Sequence, residues 1–185
     1  RLAALLHDTA VGMTAARGTD TPAGGTDACT GLVFPVYAWG PPLFVEKWLR
    51  SDAFRPAAGS YVYVVLTCGD DIGRTDRLTA RLLRPRGCRP AATFSIAMPN
   101  TYVALPGFDV DDDDTVRRKL EAARTRLEGV AAAIARREKG VCDVVPGAFP
   151  GIKSYVLRPF FNHMLTGDAR FRAGAACVGC GACAK

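Results

Sequence analysis

Histidine is scarce in this chain: His7 and His163 are the only two in 185 residues. Imidazole relays and histidine-rich zinc centres therefore have almost nothing to draw on. No Ser/His/Asp set and no working pair of carboxylates stands out, so acyl transfer and glycoside hydrolysis have no visible machinery. No apolar run approaches the roughly 18 residues that suggest a membrane helix. No internal repeat is evident, and no signal-peptide pattern can be recognised. Free thiols without an export signal favour a reducing compartment, and the cytoplasm is the expected location. Positive charge is in modest excess, +6, but the arginines are spread along helical segments and no nucleic-acid reading motif accompanies them. Nucleic acid is accordingly not an expected partner.

Against these absences stands one dense feature. Cys177, Cys180 and Cys183 lie at a strict spacing of three near the C-terminal end, with Gly and Ala between them. Small residues at such spacing let a loop turn several sulfurs toward one point. The bacterial ferredoxin run is C-x2-C-x2-C-x3-C-P, and its first three cysteines are present here. A 4Fe-4S cluster is the leading reading. Zinc is the alternative, but it wants four ligands, usually from two C-x2-C pairs, and the remaining cysteines (Cys29, Cys68, Cys88 and Cys142) are scattered singly. A disulfide framework fits poorly with an odd count of seven.

The 49% apolar content is enough for the core of one α/β domain with a small appendage. Arg1 to Leu6 read like the middle of a helix, and both ends are expected to be truncated. The runs Gly31–Tyr37, Tyr61–Thr67 and Ala92–Met98 are apolar and rich in branched or aromatic residues, as suits strands buried on both faces of a parallel sheet. A further strand is expected around Ala10 to Ala15. Helical patterns alternate with these runs: one opened by Pro41 and Pro42, one from Arg74 to Arg84, and a long one from Thr115 to Lys139. The acidic run Asp111–Asp114 suits the positive end of that long helix, with Asp114 as its expected cap; a metal site is the sharper alternative. Lys139-Gly140 is its expected end. From Cys142 to Arg172 periodicity fades, and this stretch reads as a connector with a short helix around Phe160 to Leu165.

Strand–helix alternation predicts a parallel sheet covered on both faces, with ligands beyond the carboxyl ends of its strands. Three loops occupy those positions: Pro35–Pro42 with Tyr37 and Trp39, Thr67–Gly73, and Met98–Tyr102. An aromatic loop opposite a Gly-bearing polar loop predicts a slot for a flat heterocycle. The plainer readings are that Tyr37 and Trp39 cover the sheet end, that Gly69 and Gly73 are ordinary turn residues, and that Cys68 is an inert small hydrophobe.

Gly31–Pro42 (GLVFPVYAWGPP), Val64–Gly73 (VVLTCGDDIG), Ser95–Tyr102 (SIAMPNTY) and the terminal cysteine run together resemble a flavodoxin-like domain fused to a bacterial-type ferredoxin. The resemblance implies an α/β fold, with a five-stranded sheet of order 2-1-3-4-5 that holds flavin mononucleotide (FMN). The first strand and its phosphate loop have no counterpart here. It implies a flavodoxin-like domain over residues 1–141, a connector over 142–172, and the start of a ferredoxin domain over 173–185. Tyr37, Ala38, Trp39 and Gly40 would flank the flavin ring, and Thr67, Cys68, Gly69 and Asp70 would meet its polar edge. Cys177, Cys180 and Cys183 would ligate one 4Fe-4S cluster, with a second expected in the full-length protein. The implied function is electron transfer between flavin and cluster, with redox proteins as partners. A flavin-dependent quinone or small-molecule reductase, or a zinc-stabilised interaction domain, are the alternatives.

Overall fold

A computed structural model describes residues 1–13, 29–102, 109–164, 174 and 176–181. Four strands form one all-parallel sheet in the order β1-β2-β3-β4: β1 Cys29–Pro35, β2 Tyr61–Cys68, β3 Ala92–Ala97 and β4 Val141–Asp143. The three longer strands fall on the expected apolar runs. β2 is central, and Tyr61 to Leu66 are all buried, because both of its faces are covered. No strand forms at residues 10–13, and 14–15 lie outside the described residues.

Alternate residues of the strands feed two cores. On one face Leu32, Phe34, Val62, Val64 and Leu66 pack with Val45 and Leu49 of α2 (Leu43–Arg50) and Leu83 of α3 (Thr75–Leu83). On the other, Tyr61, Tyr63, Val65, Phe94 and Ile96 meet Val130, Ala133 and Ile134 of α4 (Asp113–Ala135). Leu2 and Leu6, from and just after α1 (Leu2–Leu5), pack on that second core. Helices thus cover both faces, as expected. All three connections step the same way across the sheet, yet α4 lies opposite α2 and α3. The β3–α4–β4 crossover therefore has the opposite hand to the first two, an uncommon mixture in parallel sheets.

The acidic run before α4 is divided by task. Asp112, not Asp114, is the cap: its carboxylate accepts from Thr115 N at 2.9 Å and from Thr115 Oγ1 at 2.9 Å. Asp111 accepts from Asn100 N at 2.8 Å and pairs with Lys119 at 2.8 Å, whereas Asp114 pairs with Arg117. Each of these three carboxylates already has a partner, which supports the electrostatic reading over the metal one. The helix ends at Ala135, earlier than expected, and left-handed Arg137 and Gly140 then turn the chain into β4.

The stretch expected to be a connector is more structured than its sequence suggests. β4 adds to the sheet edge. After it a continuous helical segment runs through α5 (Pro150–Ile152), a π-helical turn (Lys153–Leu157) and α6 (Arg158–Met164). Buried Ser154, 2% exposed, anchors this segment to the body of the domain.

Candidate functional site

Parallel strands end on one side, so the loops after β1, β2 and β3 emerge together. They surround a cleft of about 940 Å³ lined by Tyr37, Ala38 and Trp39 from the first loop, Thr67 to Asp71 from the second, and Met98 to Tyr102 from the third. Seven of the eight residues expected to meet the flavin line this cleft. The eighth, Gly40, does not; it is buried behind the turn, where a Cβ would stand 1.8 Å from Arg158 Nε. Its lack of a side chain makes room for that arginine, whose guanidinium donates to Pro41 O at 2.8 Å and pairs with Glu46.

The first loop is a tight two-residue turn. Tyr37 N donates to Gly40 O at 2.9 Å, and Gly40 N donates to Tyr37 O at 3.1 Å. Both central residues, Ala38 (φ 45°) and Trp39 (φ 58°), are left-handed without being glycine. Such conformations cost about 1–2 kcal/mol per residue and persist where surrounding contacts over-determine them. Those contacts are present. Ser154 Oγ donates to Trp39 O at 2.6 Å and accepts from Arg74 N at 2.7 Å. Gly73, itself left-handed at φ 57°, leaves the space: a Cβ there would sit 2.5 Å from Ser154 Oγ and 2.8 Å from Trp39 Cβ. Tyr37 is 62% exposed, so it does not serve as a cover for the sheet end.

The second and third loops are held together across the cleft floor. Gly69 approaches Asn100 so closely that an added Cβ would lie 3.3 Å from Asn100 Cγ. Lys119 of α4 binds Gly69 O at 2.9 Å, Asp70 at 3.1 Å and Asp111 at 2.8 Å, and this ammonium holds the Asp111 carboxyl below its usual range. The backbone N–H groups of Gly69, Asp70 and Asp71 have no hydrogen-bond partner among the described residues, and the same holds for Ala38 and Trp39. Free donors therefore flank the cleft on two sides, next to the Tyr37 and Trp39 rings, an arrangement that fits the carbonyl-bearing edge of a flat heterocycle. Cys68 is buried at the floor, and burial, with Asp71 and Asp70 nearby, pushes its thiol up to about 11. It is a neutral wall residue at ordinary pH.

Two lining residues come from outside the loops. Lys153 and Phe161 project from the helical segment after β4, and the Phe161 ring centroid lies 6.3 Å from that of Tyr102. Neither carries a sequence signal of a site: Lys153 follows an unremarkable Pro-Gly-Ile helix start, and Phe161 resembles any apolar helix residue. The loop Met98–Tyr102 and Asp71 were visible as strand-end positions without any particular role.

Of the cysteine run, Cys177 and Cys180 are described and exposed, whereas Cys183 lies outside the described residues. Gly179 (φ 65°) and Gly181 (φ 70°) are left-handed, the conformation for which glycine is suited and which bends a chain around a compact ligand. Among the described residues no three His, Cys, Asp or Glu side chains gather to hold a metal ion. The expected thiol triplet includes the residue outside them. Also among the described residues, no helix is long and apolar enough to cross a membrane.

Comparison with protein-family models, curated proteins and solved structures finds no match to this chain.

Proposed function

We propose that this protein transfers electrons, with FMN in the strand-end cleft and a 4Fe-4S cluster on Cys177, Cys180 and Cys183. One observation carries the flavin half: three loops meet around one cleft that pairs two aromatic rings with unpartnered backbone N–H groups. Tyr37 and Trp39 would flank the ring, Thr67 would line its polar edge, and the free backbone N–H groups of Gly69 and Asp70 would donate to that edge. Cys68, kept neutral by burial, forms an apolar floor. The strained Ala38-Trp39 turn is held ready by Ser154, so little ordering remains to be done when the ring enters. The flavin supplies chemistry that accepts electrons in pairs and passes them on singly; the chain supplies position, burial and hydrogen bonds.

For the cluster half, the support is the C-x2-C-x2-C spacing and the left-handed glycines between its thiols. Holding both centres in one chain replaces a diffusional encounter by a tethered one. Redox proteins are the partners this reading calls for, and the cytoplasm is the compartment it suits. A reductase acting on a quinone or other small molecule is the second reading. It draws on the cleft volume of about 940 Å³, at the upper end of the roughly 300–1,000 Å³ typical of ligand sites, which leaves space beside the ring.

The test is anaerobic purification of the full-length protein followed by flavin, iron and sulfide analysis. Bound FMN with iron and sulfide is the expected result; stoichiometric zinc without flavin would contradict it. Quinone turnover would separate reductase from carrier.

A further inference from the structure

The helical segment after β4 brings a charge to the cleft. Lys153 Nζ stands 5.5 Å from the centroid of the Trp39 ring and pairs with the Asp71 carboxylate. It is the one cation among the described residues that line the cavity. The pair is largely enclosed, with side chains 22% and 14% exposed. There a charge acts more strongly on its neighbours than it would in open water. The other lining carboxylate, Asp70, is drawn to Lys119 at 3.1 Å and leaves Lys153 to Asp71. The next residue, Ser154, is bonded to both Trp39 O and Arg74 N, so the backbone beneath the ammonium is fixed to the same turn that presents the ring. A π-helical turn, a form often found at functional sites, carries both residues.

We propose that Lys153 is a ligand-contacting cation that makes the cleft prefer a planar redox ring carrying negative charge, with Asp71 positioning that ammonium and moderating its field. This rests on the flavin reading and deepens it. Two electrons and one proton added to a neutral flavin ring leave one net negative charge on it; the electrons come from an iron–sulfur centre, or from dithionite in a test. An adjacent ammonium attracts that charged form and is indifferent to the neutral one. Lys153 therefore raises the affinity for reduced over oxidised ligand, and Asp71 offsets part of the effect.

The experiment uses full-length protein reconstituted with FMN, with the dissociation constant of the oxidised form and the midpoint potential measured by dithionite titration. If the wild-type protein does not bind FMN, the flavin reading fails and this inference falls with it. Where FMN binds, K153M lowers the preference for the reduced form about tenfold, or about 30 mV in a two-electron couple. K153R keeps most of the preference, and D71N moves the potential the opposite way. A merely structural pair would not give shifts of opposite sign. Unchanged potentials in K153M and D71N, with FMN still bound, would overturn the inference. Should K153M lose FMN altogether, D71N decides by the direction of its shift: upward supports the role, whereas no change or a fall refutes it.

Discussion

At the residue scale, the turn Tyr37–Gly40 shows how side chains hold a backbone that intrinsic preference disfavours. Ala38 at φ 45° bears a Cβ where glycine would be at ease. Ala38→Gly should therefore raise stability by about 0.5–1 kcal/mol, the left-handed penalty less glycine's entropy cost. A higher urea midpoint with an unchanged m-value would show it. Gly73→Ala works the other way, since its Cβ meets Ser154 Oγ and Trp39 Cβ as well as the left-handed backbone. The expected loss is about 2–4 kcal/mol by the same measurement. Burial also acts on titrating groups. The Cys68 thiol is pushed up to about 11 from its ordinary 9.0, and Tyr63, also through burial, to about 12 from 10.0. Both protons are held more tightly in the folded chain, so stability present below about pH 9 declines as pH climbs through 11 and 12. Unfolding midpoints measured from pH 8 to 12 should fall along that range, and Cys68→Ala should remove the lower-pH part of the decline.

At the scale of elements, what the sequence reveals depends on whether an element's burial leaves a pattern. β2 was legible because both of its faces are covered, so Tyr61 to Leu66 form an unbroken apolar run. The loops were legible because parallel strands send their carboxyl ends to one side. β4 was not: Val141-Cys142-Asp143 is three residues long, with Cys142 and Asp143 exposed, and lies at an edge. Of the helical segment 150–164 only the end was legible, as the short helix expected around Phe160 to Leu165; the rest was hidden for a different reason. It inverts the usual rule, burying Ser154 while Ile152, Tyr155, Val156, Leu157 and Phe160 face outward. No amphipathic stripe results, and Pro150 with Gly151 makes its start look like a loop. Its attachment through Ser154 can be tested directly. Ser154→Ala leaves the Trp39 carbonyl and the Arg74 amide without a partner, at a cost of about 1–3 kcal/mol. Hydrogen exchange at Arg74 should accelerate, while the amides of β2 stay protected.

At the scale of the whole molecule, an α/β sheet with helices on both faces presents three loops and a returning helical segment around one cleft. The Tyr37-Trp39 loop and the Thr67–Asp70 loop could be placed there from sequence because both follow apolar runs that form strands, although β1, at the sheet edge, buries only Leu32 and Phe34 and leaves Val33 exposed rather than being covered on both faces. Lys153 and Phe161 could not, since their arrival depends on a fold-back that no local residue announces. The cysteine run is a separate feature of the chain, and it makes a separate prediction. If the proposed cluster is present, Cys180→Ala should abolish its iron while the α/β domain keeps its unfolding midpoint. Fluorescence-monitored titration of the anaerobically prepared full-length protein with FMN tests the cleft most directly. Saturable one-to-one binding that is weakened by Trp39→Ala is the predicted result. No binding, or binding indifferent to Trp39, would contradict the assignment of this cleft to a flavin.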